Sequence, residues 1–210
     1  MTNLPNHIVP NSVGVPLPKV IVGIFDEETN EEKKYNEIGE ICFQGPTMMK
    51  GYYNNTEATN ETIKKHEDST LWLHSGDLGY MDENGNIYLK GRLKRLIVRH
   101  DGIKISPYDL EKVISKVESV ENCCVVGKDD QEHGFGSIPV AAVVLKEEFL
   151  SQTDEELEKI MNTCQKQLGE KYIPKEIIPF ENLPLTPVGK VNYREVEKIV
   201  NSNQQKSIKK

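Results

Sequence analysis

Short apolar runs separated by polar turns dominate the first 90 residues, and this texture predicts strands. Asp82 to Gly85 is typical of a tight hairpin turn, because Asn-Gly readily adopts the positive φ that hairpin turns require. A helical pattern in this part is found at residues 57–66, where it is polar enough to predict a surface helix. The pattern therefore predicts a small antiparallel sheet or barrel, with strands at residues 20–25, 38–43, 79–81 and 87–89.

After residue 91, apolar residues recur every three to four positions, which predicts helices. Ser106 is expected to be the N-cap of the first helix, with Pro107 at its first position. Thr153 and Glu156 have the spacing of a capping box and predict the start of a second helix that ends before Gly169. The predicted apolar faces are Leu110, Val113, Ile114 and Val117 in the first helix and Leu157, Ile160, Met161, Cys164 and Leu168 in the second.

Extended apolar runs separate these helices and predict three further strands. Two of them, residues 123–127 and 138–145, are typical of half-buried or central strands, whereas Pro179 predicts that residues 176–180 lie at a sheet edge. A final helix is predicted at residues 193–200. The order of elements predicts a compact α+β domain with a hairpin, a three-stranded sheet and helices.

These patterns divide the chain into three parts. Residues 1–92 form the β-rich part, residues 93–202 form the α+β domain, and residues 203–210 are expected to be a frayed tail. The fold class is therefore α+β, with a small antiparallel β subdomain ahead of the compact domain.

Composition narrows the functional classes. No apolar run reaches the roughly 20 residues of a membrane span and the first residues do not resemble a signal peptide, so a cytoplasmic location is expected. Neither the spacing of the four cysteines nor that of the five histidines fits a disulfide framework or a metal site. We therefore expect the cysteines to be small buried hydrophobes and expect no metal site.

Charge is unevenly distributed along the chain. The net charge is −7, yet residues 90–104 contain six basic residues and one acid, Asp101. A local positive patch in an acidic chain favours a small anionic ligand over nucleic acid.

Three residues stand where they could perform chemistry. Asp77 follows Ser75 and Gly76 and could accept hydrogen bonds from a diol. Arg92 could bind hydroxyls or phosphate, and Lys190 lies on a loop stiffened by prolines, from which its ammonium could stabilise a transferring phosphoryl group. Taken alone, each of them is better explained without a function, as a turn-capping aspartate, a surface arginine and a solvated lysine.

Their joint order, however, closely resembles the C-terminal part of the acyl-adenylating superfamily, which includes acyl-CoA synthetases, peptide synthetase adenylation domains and luciferases. The matching segments are GEICFQGPTMMKGYYNNTEAT, WLHSGDLGYMDENGNIYLKGRLKRLIV, DGIKISPYDLE and LPLTPVGK. The resemblance implies that Asp77 and Arg92 hold the ribose of ATP or AMP and that Lys94 is the hinge of a rotating lid domain. It also implies that Lys190 assists adenylation and that Gly102 lines the channel for the thiol acceptor.

The resemblance further implies an AMP-forming acid–thiol ligase, with ATP, a carboxylate and CoA as its small-molecule partners. The family's phosphate loop, which with another segment holds ATP and Mg²⁺, does not occur in these 210 residues. We therefore expect a fragment that is inactive alone, with the missing N-terminal region as its physical partner and an exposed apolar face on residues 1–90. A carrier-protein acceptor, or a non-catalytic truncated binding module, are the alternatives.

Three departures from the family pattern affect individual roles. Ser75 replaces a more usual threonine, Lys94 stands where many relatives have aspartate, and the RHDG arm is one residue longer than in some relatives. The extra residue puts any role of Arg99 in doubt. Gly39, Glu40, Gly45, Gly51 and Tyr52 match a motif to which we assign a structural role.

Overall fold

The structure is a computed structural model that describes residues 1–3 and 8–202. The chain forms two compact units, residues 1–94 and the residues from Arg95 onward. The predicted frayed tail, residues 203–210, lies outside the described residues. No described helix is long and apolar enough to cross a membrane.

The first unit is built on a five-stranded sheet in which all strand pairs are antiparallel. Strand β4 is the longest and pairs with β2, β3 and β5, while β1 pairs with β2. Val22, Ile24, Ile41 and Ile87 form its main buried cluster, as expected from the apolar runs. The elements are β1 Ile21–Phe25, β2 Gly39–Gln44, helix α1 Thr56–Thr62, β3 Ile63–Lys65, β4 Leu71–Met81 and β5 Ile87–Arg92.

Two predictions for this unit are wrong in detail. The strand predicted at residues 79–81 begins at Leu71 instead, so the Ser-Gly-Asp segment lies inside β4, which pairs with strands on both sides. Helix α1 ends at Thr62, and the residues after it add strand β3 to the sheet. Exposed apolar side chains occur in this unit, among them Ile38 and Tyr53, but a contiguous apolar face stays a prediction.

The second unit combines a short hairpin, a three-stranded sheet and three α-helices. The hairpin pairs β6 with β7, and the sheet has the order β10-β9-β8, with β10 parallel to β9 at the predicted edge position. The elements are β6 Ile97–Val98, β7 Lys104–Ile105, α2 Pro107–Ile114, β8 Val120–Asp129, β9 Ser137–Leu145, α3 Thr153–Gln167, β10 Glu176–Pro179 and α4 Tyr193–Asn201. The α+β fold class is thus confirmed.

Helices cover both faces of this sheet. Val125 and Val143 point into one buried cluster, which α2 and α3 complete, while the neighbouring Val126 and Val144 point into a second cluster with α4. Successive residues of a strand face opposite sides, so a strand buried on both sides has a continuous apolar run. This explains why β9 is apolar throughout after Ser137.

The helix starts differ from their predicted caps. Pro107 is the first residue of α2 as predicted, but the Ser106 side chain makes no cap hydrogen bond. Thr153 is already helical and its hydroxyl donates to the Leu150 carbonyl, so the predicted capping box with Glu156 is wrong. The Glu156 carboxylate instead accepts a hydrogen bond from Lys159.

A partly buried ion pair joins the start of the second unit to its sheet. The Glu111 carboxylate on α2 pairs with Arg95 and accepts the backbone N–H of Val125 at 2.9 Å. Arg95 also donates to the Val125 carbonyl at 3.2 Å, and its guanidinium lies 5.2 Å from the ring centroid of Tyr193. These contacts anchor the chain to the second unit just after Lys94.

The four cysteines are all free. Cys42, Cys124 and Cys164 are buried, and Cys123 is partly buried, so three of the four are the small buried hydrophobes that we expected. Burial raises the pKa of Cys124 to about 12 and that of Cys164 to about 11. These thiols therefore stay protonated and unreactive near neutral pH.

Candidate functional site

In the first unit, Asp77 and Arg92 lie side by side. The two residues are register partners in the β4–β5 ladder, and Arg92 Nε lies 2.7 Å from Asp77 Oδ1. The side chain of Arg92 is 66% exposed and that of Asp77 is 30% exposed. An exposed pair contributes little to stability. The arrangement instead presents a carboxylate acceptor beside a guanidinium donor at the surface.

A network of hydrogen bonds shapes the backbone just before Asp77. The Ser75 hydroxyl donates to the Ile41 carbonyl at 2.6 Å and accepts the N–H of Asp77 at 3.0 Å. Gly76 has φ of +72°, a conformation that glycine adopts without strain, and its N–H donates to Glu40 Oε1 at 2.8 Å. The Ser75 hydroxyl and the Glu40 carboxylate thus fix the backbone conformation from which the Asp77 side chain projects.

Two histidines in contact with each other, His74 and His66, position the Glu40 carboxylate. His74 Nδ1 lies 2.7 Å from Glu40 Oε2, and His74 Nε2 lies 3.0 Å from His66 Nε2. Burial alone would raise the pKa of Glu40, but hydrogen bonds from His74 and the Gly76 amide leave that pKa below its ordinary value. An ionised Glu40 only accepts, so the His74 nitrogen that faces it, Nδ1, carries a proton.

The sequence analysis did not identify this network as part of a site. It assigned Glu40 a structural role and did not single out His74. The two lie 34 residues apart and meet because β2 pairs with β4. The sequence signal that could have revealed the network was a charged residue, Glu40, and a titratable residue, His74, at core-facing positions of two neighbouring strands.

Lys190 lies on a tight loop of the second unit. Leu185 and Val191 form an isolated bridge, and inside it Thr186 N–H donates to the Lys190 carbonyl at 2.7 Å. Gly189 has φ of +78°, and its N–H donates to the Thr186 carbonyl at 2.9 Å. The loop backbone is therefore well supported, while Lys190 itself is exposed.

Gly102 lies at the tip of the β6–β7 hairpin. It has φ of +78°, and its N–H donates to the Arg99 carbonyl at 2.9 Å. Arg99 donates to the Lys171 carbonyl at 2.8 Å and pairs with Asp101, so its contacts support the hairpin. Lys94 is exposed in a 3₁₀ turn, Leu93–Arg95, at the end of the first unit.

One cavity of the second unit is lined by none of these residues. It is an open groove of about 1060 Å³ lined by Leu150, Ile177, Pro179 and Val200 among others. The predicted site residues occupy strands and loop tips instead. The structure brings Asp77 and Arg92 together, whereas Lys190 and Gly102 occupy separate loops of the second unit.

In a comparison with known proteins, two segments of the chain match family models of one kind of enzyme. Residues 1–53 match the family model described as AMP-binding enzyme, and residues 109–190 match the model of the AMP-binding enzyme C-terminal domain. The second match contains Lys190.

Individual relatives agree with these matches. The chain is 31% identical over 187 residues to 4-coumarate–CoA ligase 1 of Glycine max, covering 89% of this chain and 60% of that protein. It resembles the crystal structure of the ATP-bound RpMatB-BxBclM chimera B1, with a TM-score of 0.82 and 30% identity over 93% of this chain and 37% of that one. The anthranilate CoA ligase AuaEII, solved with anthranoyl-AMP, gives a TM-score of 0.81 and 25% identity over 95% of this chain and 37% of that one. The chain therefore spans only part of the length of the proteins that it matches.

Proposed function

Since the chain belongs to the family of AMP-binding, adenylate-forming enzymes, as their C-terminal part, we propose that its parent protein is an ATP-dependent acyl-CoA ligase. Such an enzyme would convert a carboxylate and ATP into an acyl adenylate and pyrophosphate. The thiol of CoA would then displace AMP and form the thioester.

The observation that carries this proposal is the 2.7 Å contact between Asp77 and Arg92. A ribose diol needs an acceptor for its hydroxyl protons and a donor for its oxygens, and a carboxylate next to a guanidinium supplies both. Without a ligand the two side chains satisfy each other. We propose that ribose hydroxyls of ATP insert between them, with Glu40 and Ser75 as the residues that position Asp77.

Lys190 is proposed as the catalytic residue of adenylation. Its ammonium is exposed on a loop whose backbone is fixed, so it could approach phosphate oxygens without prior reorganisation of the loop. A positioned cation stabilises the negative charge that develops as pyrophosphate leaves. Lys94 is proposed as the hinge, and Gly102 as the residue that brings the hairpin tip to the thiol channel.

Pyrophosphate exchange in the parent protein tests the role of Lys190. Loss of one electrostatic stabiliser typically lowers kcat by about 10²–10³-fold, and we expect a loss of this size for Lys190→Ala. The matched control is Lys116→Ala, another exposed lysine of the second unit, which should exchange at the wild-type rate. An unchanged rate in Lys190→Ala would remove this residue from the mechanism.

Asp77→Asn tests the ribose contact separately. The amide keeps the shape of the side chain but weakens acceptance from the hydroxyls, so the KM for ATP in the exchange reaction should rise. Equal KM values in variant and wild type would contradict the assignment.

Thioester formation from a purified acyl adenylate, with either CoA or a phosphopantetheinylated carrier protein, identifies the acceptor, and we expect CoA.

No residue of this chain is assigned to Mg²⁺. The phosphate-loop motif does not occur in these 210 residues. Mg²⁺ and the phosphates of ATP are therefore proposed to be held by the N-terminal region of the parent protein. The cytoplasmic location stays a prediction.

A further inference from the structure

Two histidines and an aspartate meet beside the hairpin tip of the second unit. His100 Nδ1 lies 3.0 Å from Asp130 Oδ2, and His133 Nδ1 lies 2.9 Å from the same oxygen. The two imidazole rings are stacked, with centroids 3.5 Å apart and planes 9° from parallel. Two nitrogen atoms and one oxygen atom thus converge within 4.8 Å of one another.

The loop between β8 and β9 fixes the Asp130 carboxylate. Its Oδ1 accepts the backbone N–H groups of Glu132 at 3.1 Å and His133 at 3.2 Å, and the side chain is only 4% exposed. The Asp130 N–H donates to the Gly136 carbonyl at 3.1 Å and closes the loop. Because Oδ1 is occupied by the loop backbone, Oδ2 is held in place facing the two imidazoles. Outer hydrogen bonds of this kind orient carboxylate ligands in metal sites.

The hairpin and the loop are packed tightly against each other. A Cβ at Gly136, where φ is +77°, would lie 2.5 Å from the backbone nitrogen of His100, so this approach requires glycine. The side chains of His100 and His133 are 25% and 38% exposed. The cluster is therefore closed on the aspartate side and open to solvent on the histidine side.

We propose that His100, Asp130 and His133 form a site for a divalent transition metal ion, with Zn²⁺ as the best match. Two imidazoles and one carboxylate are the donor set of open zinc sites, in which water completes the coordination. Metal binding replaces the two hydrogen bonds to Oδ2. The imidazole rings rotate out of their stack so that both Nδ1 lone pairs point to the ion, and each neutral imidazole carries its proton on Nε2 instead.

A second cluster of possible ligands is a weaker choice. Glu40, Cys42 and His74 of the first unit also lie within 4.8 Å of one another, but all three are buried. Burial and the charge of Glu40 raise the pKa of the Cys42 thiol far above its ordinary value, which opposes formation of the thiolate that a metal binds. A bound metal with a thiolate ligand would thus indicate this cluster, and a bound metal without one would indicate the histidine cluster.

Occupancy would tie the hairpin tip to the β8–β9 loop. The site itself does not depend on the proposed function. Within that function the ion would hold the hairpin that bears Gly102.

Calorimetric titration of the 210-residue chain with Zn²⁺ tests the proposal. We expect one binding site, and loss of a ligand in His133→Gln or Asp130→Asn should weaken the affinity at least about tenfold, since even outer-shell changes cost about 10–100-fold. Asp101→Asn in the same hairpin and Glu132→Gln in the same loop are the matched controls and should bind as the wild type does. His133 is the more exposed histidine, so its variant is the one expected to keep its fold.

Co²⁺ spectroscopy and NMR provide readouts that do not depend on the variants. Co²⁺ should give visible bands of a nitrogen and oxygen site, and Zn²⁺ should shift the ring resonances of His100 and His133. No saturable binding at millimolar Zn²⁺, equal affinity in His133→Gln, or a thiolate charge-transfer band with Co²⁺ would each overturn the proposal.

Discussion

Single residues of this chain acquire their roles from partners that are distant in sequence. Glu40 is only 4% exposed, and such a buried carboxylate is stable only if its oxygens are paired. His74 and the Gly76 N–H, which lie 34 and 36 residues away, provide these partners. The sequence motif indicated a structural role for Glu40, and the geometry explains it, because the same carboxylate shapes the backbone that presents Asp77.

The contact between His66 and His74 leads to a prediction about the stability of the first unit at acidic pH. Burial and the neighbouring His74 lower the pKa of His66, with Lys64 adding to this effect and Asp68 and Glu40 opposing it. Because the unfolded chain binds this proton more readily, the stabilisation is present above the unfolded pKa of about 6.5 and is lost as the pH falls below it.

We therefore expect the free energy of unfolding of the first unit to fall between about pH 7.5 and pH 5, the range around the ordinary histidine pKa. His66→Gln removes the titrating group, so this variant should show a smaller fall. Urea denaturation at several pH values, monitored through the fluorescence of the single tryptophan, Trp72, measures it. An equal fall in both proteins would show that His66 is not responsible.

Among the elements, β4 shows how long-range pairing overrides a local turn signal. Ser-Gly-Asp is typical of a turn, yet the segment lies inside an 11-residue strand with paired neighbours on both sides. The irregularity survives as register shifts between Glu40 and Cys42 and between Leu78 and Gly79. Such irregularities redirect side chains at functional sites. Here the first spans the Asp77 position, because Glu40 pairs with Leu78 and Cys42 with His74, and the second follows it directly.

Close packing in β4 predicts a glycine that cannot be replaced. A Cβ at Gly79 would lie 2.3 Å from the Tyr88 carbonyl oxygen and 2.6 Å from Ile41 Cδ1. We expect Gly79→Ala to lower the free energy of unfolding of the first unit by about 1–3 kcal/mol, the usual cost of overpacking.

Gly169→Ala is the matched control for this change. Gly169 has φ of −64°, and its added Cβ would make only ordinary contact, with Tyr172 at 3.5 Å. The substitution should leave stability unchanged or raise it by up to about 1 kcal/mol through the unfolded state. Equal effects of the two substitutions in urea denaturation would show that the close approach at Gly79 is relieved by a small shift.

At the scale of the whole molecule, the division into two units frames the proposed activity. The proposed ribose contacts lie in the first unit and the proposed catalytic lysine in the second, with Lys94 at the boundary. The chain spans 60% of the soybean relative and 37% of the chimeric structure that it matches. The proposed reaction therefore belongs to the parent protein.

The 210-residue chain should catalyse no pyrophosphate exchange with any carboxylate of a panel. The longer parent protein should catalyse it with at least one of them, because phosphate and Mg²⁺ binding are proposed to require the N-terminal region. Exchange by the short chain would contradict the fragment hypothesis. A parent protein that binds no ATP would favour the alternative of a non-catalytic binding module.

The sequence by itself determined the α+β class and most of the strands and helices of the second unit, because periodicity of burial and turn chemistry are local properties. Its ordered motifs indicated the family through their resemblance to known enzymes. The tertiary structure decided which polar groups meet. The contact of Asp77 with Arg92 depends on the register of β4 with β5, and that of Glu40 with His74 on the pairing of β2 with β4. His100 and Asp130, 30 residues apart, meet only because two loops pack together, so histidine spacing along the chain predicted no metal site there. Side-chain convergence of this kind is set by long-range packing, which no local pattern encodes.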